Sequence, residues 1–165
     1  MKTDIIDNEF VTKYMINNGY SISFMESCTS GLLASLFTDT EGASSVFKGS
    51  FITYSNEAKI SAGVDKSVIS EYGVYSRECA NAMANASKKA FSTDVAIGIT
   101  GTTGNVDPKN IGSINGEAFY CILFMDKAFD YHLKIDVNGL SRKEIKEYYA
   151  RCVYTSLKDI LIGAE

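Results

Sequence analysis

The chain has 165 residues, 45% hydrophobic, 22% charged and 12% aromatic, a globular composition long enough for one sizeable core. Lys plus Arg is 16 and Asp plus Glu is 20, so the net charge of -4 argues against a broad nucleic-acid surface. There is one Pro and no Trp, which excludes Pro-rich and collagen-like readings, and no apolar run approaches the roughly 20 residues that span a bilayer. Cys28, Cys79, Cys121 and Cys152 are far apart and form no CxxC pair. With no signal-peptide pattern at the N terminus, they read as reduced thiols of a cytoplasmic protein, with no metal site and no cofactor expected.

In chain order, Phe10, Val11, Tyr14 and Met15 recur at helical spacing, and Asn17-Asn18-Gly19 stops that helix. Ser21 to Met25 reads as a strand. Leu32, Leu33, Leu36 and Phe37 then give a helical face, so Glu26 to Gly31 falls at a strand-to-helix junction. Phe47 to Tyr54 is rich in strand formers, with Gly49 as a bulge. Asn56 to Ile60 predicts a helical turn, and Val68, Ile69 and Tyr72 a short helix closed by Gly73. Ser76 is an N-cap for an Ala-rich helix over Arg77 to Phe91. Val95 to Ile99 is almost wholly apolar, the mark of a central strand covered on both faces. A glycine-rich loop covers Thr100 to Gly116, followed by strands over Glu117 to Met125 and Phe129 to Val137. Ser141 and Glu144 form a capping box that opens a long C-terminal helix. Strands and helices interleave without a polar linker, so residues 1–165 are read as one three-layer α/β/α domain with a mixed central sheet.

Three segments carry candidate chemistry. Ser27, in Glu26-Ser27-Cys28-Thr29, faces the amides of a helix start, which hold oxyanions or phosphates well; the alternative is that Ser27 or Thr29 is an N-cap. Cys28 competes as a nucleophile, but the single histidine, His132, is distant in sequence, and a packing cysteine is the ordinary case. In Thr53 to Lys59, Lys59 serves as a general base if burial lowers its pKa from about 10.4 toward neutrality. Otherwise Lys59 faces solvent and Tyr54 is a half-buried core residue. Thr100 to Asn105 follows a central strand, where open α/β sheets bind ligands. It matches neither the dinucleotide fingerprint nor the P-loop, and it reads either as a ribose- or phosphate-binding loop or as a structural one.

These segments together resemble the nicotinamide-nucleotide amidase family, which is also the C-terminal domain of competence/damage-inducible (CinA) proteins. The resemblance rests on Glu26 to Gly31 (ESCTSG against ESCTGG), Gly42 to Ser45, Thr53 to Lys59 (TYSNEAK), Gly73 to Ser76 and Asp94 to Gly101, and it covers residues 5 to 162. It implies a metal-free amidohydrolase that converts nicotinamide mononucleotide to nicotinic acid mononucleotide and ammonia. Ser27 would be the nucleophile, Lys59 its base, Tyr54 an assisting hydroxyl and Ser45 a further active-site hydroxyl. Thr29, Ser30, Gly31, Thr100, Gly101, Thr102, Thr103, Gly104 and Arg142 would bind substrate, with Arg142 on the phosphate. The partner expected is a small pyridine nucleotide, with neither nucleic acid nor membrane, in a homo-oligomer. Three departures touch the substrate-binding positions: Ser30 for a glycine, TGTTGN for a TGxAGP-like loop, and an extra residue in Gly139-Leu140-Ser141-Arg142. They leave two alternatives: a non-hydrolytic nucleotide-binding or regulatory module of the same fold, and an amidase for another small nucleotide.

Overall fold

The computed structural model describes residues 6–164. Residues 1–5 and 165, which the one-domain reading includes, lie outside the described residues. Helix α1 spans Asn8–Asn18 and ends at Gly19, whose φ of +69° is the left-handed conformation that glycine reaches without strain. Strand β1 (Ile22–Glu26) leads into α2 (Leu32–Thr38), and a 3-10 turn (Ala43–Ser45) leads into β2 (Phe47–Ile52). Three helices follow, α3 (Asn56–Ser61), α4 (Lys66–Tyr72) and α5 (Arg77–Phe91), then β3 (Val95–Gly101), β4 (Glu117–Phe124), β5 (Lys127–Lys134) and α6 (Arg142–Gly163).

The five strands lie in the order β2-β1-β3-β4-β5. β1 is parallel to both β2 and β3, whereas β4 runs antiparallel to β3 and to β5, so the sheet is mixed. Side chains alternate across a strand. Ile22 and Phe24 of β1, Val95, Ile97 and Ile99 of β3, and Tyr120 and Ile122 of β4 therefore form one face, packed on α1, α2 and α6. Met25, Ala96, Cys121 and Leu123 turn to the other face, toward α4 and α5. Both faces are covered, giving three layers, which is why Val95 to Ile99 is apolar throughout. Gly98 lets α5 lie almost on β3: a Cβ there would sit 2.3 Å from the Ala80 carbonyl oxygen.

The predicted caps are present. Ser76 Oγ accepts from Cys79 N at 3.1 Å, and Ser141 and Glu144 form the capping box of α6. The register slips between Ile22 and Ser23, so Lys48 is the extra residue of β2, and Gly49 beside it lies where a Cβ would meet the Phe91 ring at 2.4 Å. β5 starts two residues earlier and ends three earlier than expected. Phe124 pairs with Lys127, leaving a two-residue hairpin turn at Met125-Asp126, and Met125 takes a φ of +52° there. Such turns favour Gly, Asn or Asp, and a methionine in that place gives no turn signal in sequence.

β1 leaves through α2 on one face to reach β2 at the edge. The chain then returns through α3, α4 and α5 on the other face to β3, on the opposite side of β1. The carboxyl end of β1 is thus a point where the connections diverge and a crevice opens. Ser27 is the first residue beyond it.

Candidate active site

Alternation in β1 decides what meets what at this crevice. Glu26 turns toward α2 and Ser27 toward α3. The Ser27 amide donates to Ile99 O at 3.1 Å, so its backbone is fixed as a continuation of the sheet ladder. On the other side, Thr53 N donates to Glu26 O at 2.8 Å, and Ser55 caps α3 by accepting from Ala58 N at 3.0 Å. That short helix points Lys59 inward. Its side chain is 2% exposed, and Nζ lies 3.0 Å from Ser27 Oγ and 2.8 Å from Thr53 O. Burial lowers the Lys59 pKa because desolvation penalises the ammonium; the charges of Cys79, Cys28 and Asp107 oppose the shift. A buried amine biased toward its neutral form against a buried serine hydroxyl has the arrangement that a base-and-nucleophile pair requires. The solvent-facing alternative for Lys59 is therefore excluded.

Cys28 is also buried, and desolvation pushes its thiol up to about 12, with the Glu26 charge adding to the effect. It is held as a thiol and does not compete with Ser27 as a thiolate.

The expectation that the first turn of α2 offers free amides is corrected. Glu26 Oε1 accepts from Leu33 N at 2.9 Å and from Thr29 Oγ1 at 2.7 Å, and Oε2 accepts from Ala34 N at 3.1 Å. The helix start is thus capped from below by a buried carboxylate, a charge-assisted arrangement favoured by the helix dipole. Thr29, expected to bind substrate, has its hydroxyl spent on Glu26. Ser30 is exposed, takes φ +47° and accepts from Lys146 Nζ at 3.2 Å, and Gly31 is backed by the Ile52 side chain, so none of the three lines the cavity.

The cavity above Ser27 has a volume of about 730 Å³. Gly101, Thr102 and Thr103 line it, as expected. Thr100 does not: its side chain alternates to the α5 face, where its hydroxyl donates to Val74 O at 3.0 Å. Gly104 also lies outside the lining, with φ +100° and a Cβ position 3.3 Å from Arg142 Cγ, so it supports the Arg142 stem. Arg142, the first residue of α6, reaches the rim, where Nη2 donates to Tyr54 Oη at 3.1 Å and Nη1 to Asn105 Oδ1. Tyr149, two turns on in α6, anchors the same loop by donating to Thr102 O at 2.9 Å.

Two placements differ from the expected dyad helpers. Tyr54 lines the cavity but is 61% exposed and bonded to Arg142, not to Ser27 or Lys59. Strand alternation turns Thr53 inward and Tyr54 outward. Ser45 is in the 3-10 turn before β2, exposed, with its hydroxyl donating to Gly42 O at 2.8 Å. The length of a six-residue strand, about 20 Å, separates that turn from the crevice end of β2. Ser45 is therefore not part of this site within one chain.

Sequence reasoning missed one wall of the cavity, formed by Tyr75 and Asp107. Asp107 Oδ2 accepts from Tyr75 Oη at 2.7 Å and from Asn110 Nδ2, and Oδ1 accepts from Lys109 N at 2.9 Å. These bonds, the Tyr75 hydroxyl first, hold the Asp107 carboxyl below its ordinary value, and burial with the Asp107 contact pushes the Tyr75 phenol up. Tyr75 lies in the Gly73 to Ser76 element but carried no assigned role there, and Asp107 lies in the stretch where the family motif breaks off. His132 does not line the cavity: it pairs with Glu117 at 2.7 Å and stacks on Phe119 at 4.2 Å, across the β4–β5 pair.

The family model for the CinA C-terminal domain matches residues 6–161. The chain belongs to the CinA C-terminal domain family. Among relatives, Protein MG115 homolog of Mycoplasma pneumoniae is 31% identical over 154 residues, covering 92% of this chain and 94% of that protein. A CinA-like protein of Fervidobacterium nodosum is 43% identical over 111 residues, 65% of this chain. The match takes in 27% of that CinA-like protein, so the chain spans well under half the length of such relatives. The crystal structure of the CinA superfamily protein ECK1530/EC0983 from Escherichia coli superposes with a TM-score of 0.88 at 21% identity, covering 97% of this chain and 92% of that one. A CinA superfamily structure from Klebsiella pneumoniae gives 0.87 at 20% identity, covering 94% and 96%. At such identities the CinA structures establish the three-layer fold alone.

Proposed function

We propose that this CinA-family domain is a serine amidohydrolase that hydrolyses the carboxamide of nicotinamide mononucleotide to nicotinic acid mononucleotide and ammonia. The observation that carries the reading is the 3.0 Å contact between the buried Lys59 amine and Ser27 Oγ on the floor of an open cavity. Neutral Lys59 takes the Ser27 proton as Oγ forms a bond to the carboxamide carbon, and the carbonyl electron pair moves to oxygen. With the α2 amides of Leu33 and Ala34 occupied and the Ser27 amide bonded to Ile99 O, the N–H groups of Cys28 and Thr29 are the donors proposed for that oxyanion. Collapse breaks the C–N bond, and the Lys59 ammonium returns its proton so that nitrogen leaves as ammonia. A water molecule, deprotonated by Lys59, then attacks the acyl ester, and the Lys59 ammonium passes that proton to Oγ as the ester C–O bond breaks, which frees the acid and restores Ser27. Arg142 and Asn105 at the rim suit the phosphate, and Tyr54 orients Arg142 rather than relaying protons.

The test is ammonia and acid release from nicotinamide mononucleotide by the purified chain, with Ser27→Ala as the control. Turnover that disappears in Ser27→Ala supports the reading. Tight nucleotide binding with no ammonia from any pyridine nucleotide carboxamide would instead favour a binding module, and release from another amide alone would move the substrate.

A further inference from the structure

The cavity has two charged walls of opposite sign. Arg142 stands at the rim with Tyr54 and Asn105. Asp107 is half-buried inside, and three donors from two different segments hold its carboxylate: Tyr75 from the stretch before α5, and Asn110 and the Lys109 amide from its own loop. A carboxylate tied down in this way keeps its charge and cannot swing out toward solvent. Lys109, the nearest cation on that loop, is exposed. Tyr75, which holds Asp107, follows Val74, whose carbonyl accepts from Thr100 Oγ1 next to the Ile99–Ser27 bond, and Ser27, Tyr75 and Asp107 line one cavity, which puts the anionic wall on its reacting side.

We propose that Asp107 is a specificity-determining residue that selects substrates whose reacting ring carries a positive charge, namely the oxidised pyridinium form of a nicotinamide mononucleotide over its neutral 1,4-dihydro form. This rests on the amidase reading for the pose. A carboxamide placed on Ser27 carries its ring with it, and the ring nitrogen is meta to the carbon bearing that group. The positive charge of a pyridinium is spread over the ring and is lost on hydride addition. An anionic inner wall and a cationic rim therefore match a zwitterion with its pyridinium inside and its phosphate outside. The reversed orientation puts phosphate against Asp107. The same two walls favour the oxidised mononucleotide electrostatically without any contact that reads ring shape.

Binding is measured by calorimetry in the Ser27→Ala chain, so that no substrate is consumed, with nicotinamide mononucleotide and its 1,4-dihydro form as probes. The oxidised form is expected to bind about tenfold more tightly, equivalent to about 1.4 kcal/mol. Adding Asp107→Asn, which keeps an acceptor for Tyr75, should bring the two within about twofold by weakening the oxidised form alone. About 1 M salt, where the screening length falls to about 3 Å, should narrow the ratio in the parent without any substitution. A ratio that survives both changes would overturn the proposal, since ring shape would then be the discriminator. Equal weakening of both forms by Asp107→Asn would overturn it too, because that is the signature of a ribose hydroxyl bonded to Asp107. Ammonia release is assayed separately in the unmodified protein. Selective binding without release refutes the amidase reading and leaves the charge selection standing, whereas release with equal binding does the reverse.

Discussion

Replacing Lys59 with Met keeps a stem of similar length in the interior and deletes the amine, which separates the proton chemistry from the packing. In the folded protein that amine is 2% exposed and bonded to Ser27 Oγ at 3.0 Å and Thr53 O at 2.8 Å. Loss of a positioned general base costs about 10²–10⁴ in rate, and in the proposed mechanism Lys59 is base and acid in turn, so amide turnover should fall by about 10⁴, or about 5.5 kcal/mol of barrier. Because the pair acts as a unit, Ser27→Ala combined with Lys59→Met should be no slower than the worse single variant. Stability responds differently and depends on pH. Burial lowers the folded-state pKa of Lys59, whereas in the unfolded chain it titrates near 10.4. Between those values the unfolded chain binds more protons, so this group makes the wild type gain stability as pH rises, with no further gain above about 10.4. Lys59→Met lacks that slope. It should therefore destabilise most at alkaline pH, where the amine is neutral in both states and the Thr53 carbonyl loses a partner at a cost of about 1–3 kcal/mol, and least at neutral pH. Urea unfolding of both proteins across a pH series reads the difference, and ammonia release reads the rate. Parallel stability curves, or a variant keeping more than about a tenth of the rate, would refute the assignment of Lys59 as a buried base.

The rate of the wild type should rise with pH through a single limb whose midpoint lies below about 10.4, since the neutral amine is the active form. Ser45→Ala should leave turnover by the isolated chain unchanged in the same assay, because its hydroxyl is at the opposite end of β2. Glu26→Gln should lower stability by about 2 kcal/mol in denaturant unfolding, since an amide cannot accept from Thr29, Leu33 and Ala34 with two anionic oxygens and brings its own N–H groups against those donors. Gly98→Ala should cost about 3 kcal/mol in the same measurement, because a Cβ 2.3 Å from the Ala80 carbonyl forces α5 away from β3.

Much of the fold follows from local rules that the sequence states directly. The caps at Ser76 and Ser141, the left-handed stop at Gly19 and the apolar run of β3 are each written in a few adjacent residues. The hairpin at Met125-Asp126 was not legible, because tertiary pairing of β4 with β5 imposes a left-handed φ on a methionine that has no local reason to adopt it. The sense of the side chains was only half legible: the ESCT segment announces polar groups at a strand end, but not that Glu26 would cap α2 and use up the amides expected for an oxyanion.

The site divides in the same way. Ser27 and Lys59 are 32 positions apart, and the motifs that contain them mark both as candidates for chemistry. Their contact and the dryness that lowers the lysine pKa exist only once β1 and β2 are paired and α3 is folded back over them. Tyr75 and Asp107 are likewise 32 positions apart, Arg142 lies beyond both, and the three share no motif. Composition determined that this chain would be acidic and apolar enough for a sizeable core, with charge left over for local use. Where that charge acts was decided by the tertiary structure, because the effect of a charge depends on its distance to another and on the water between them, and neither quantity exists along an extended chain.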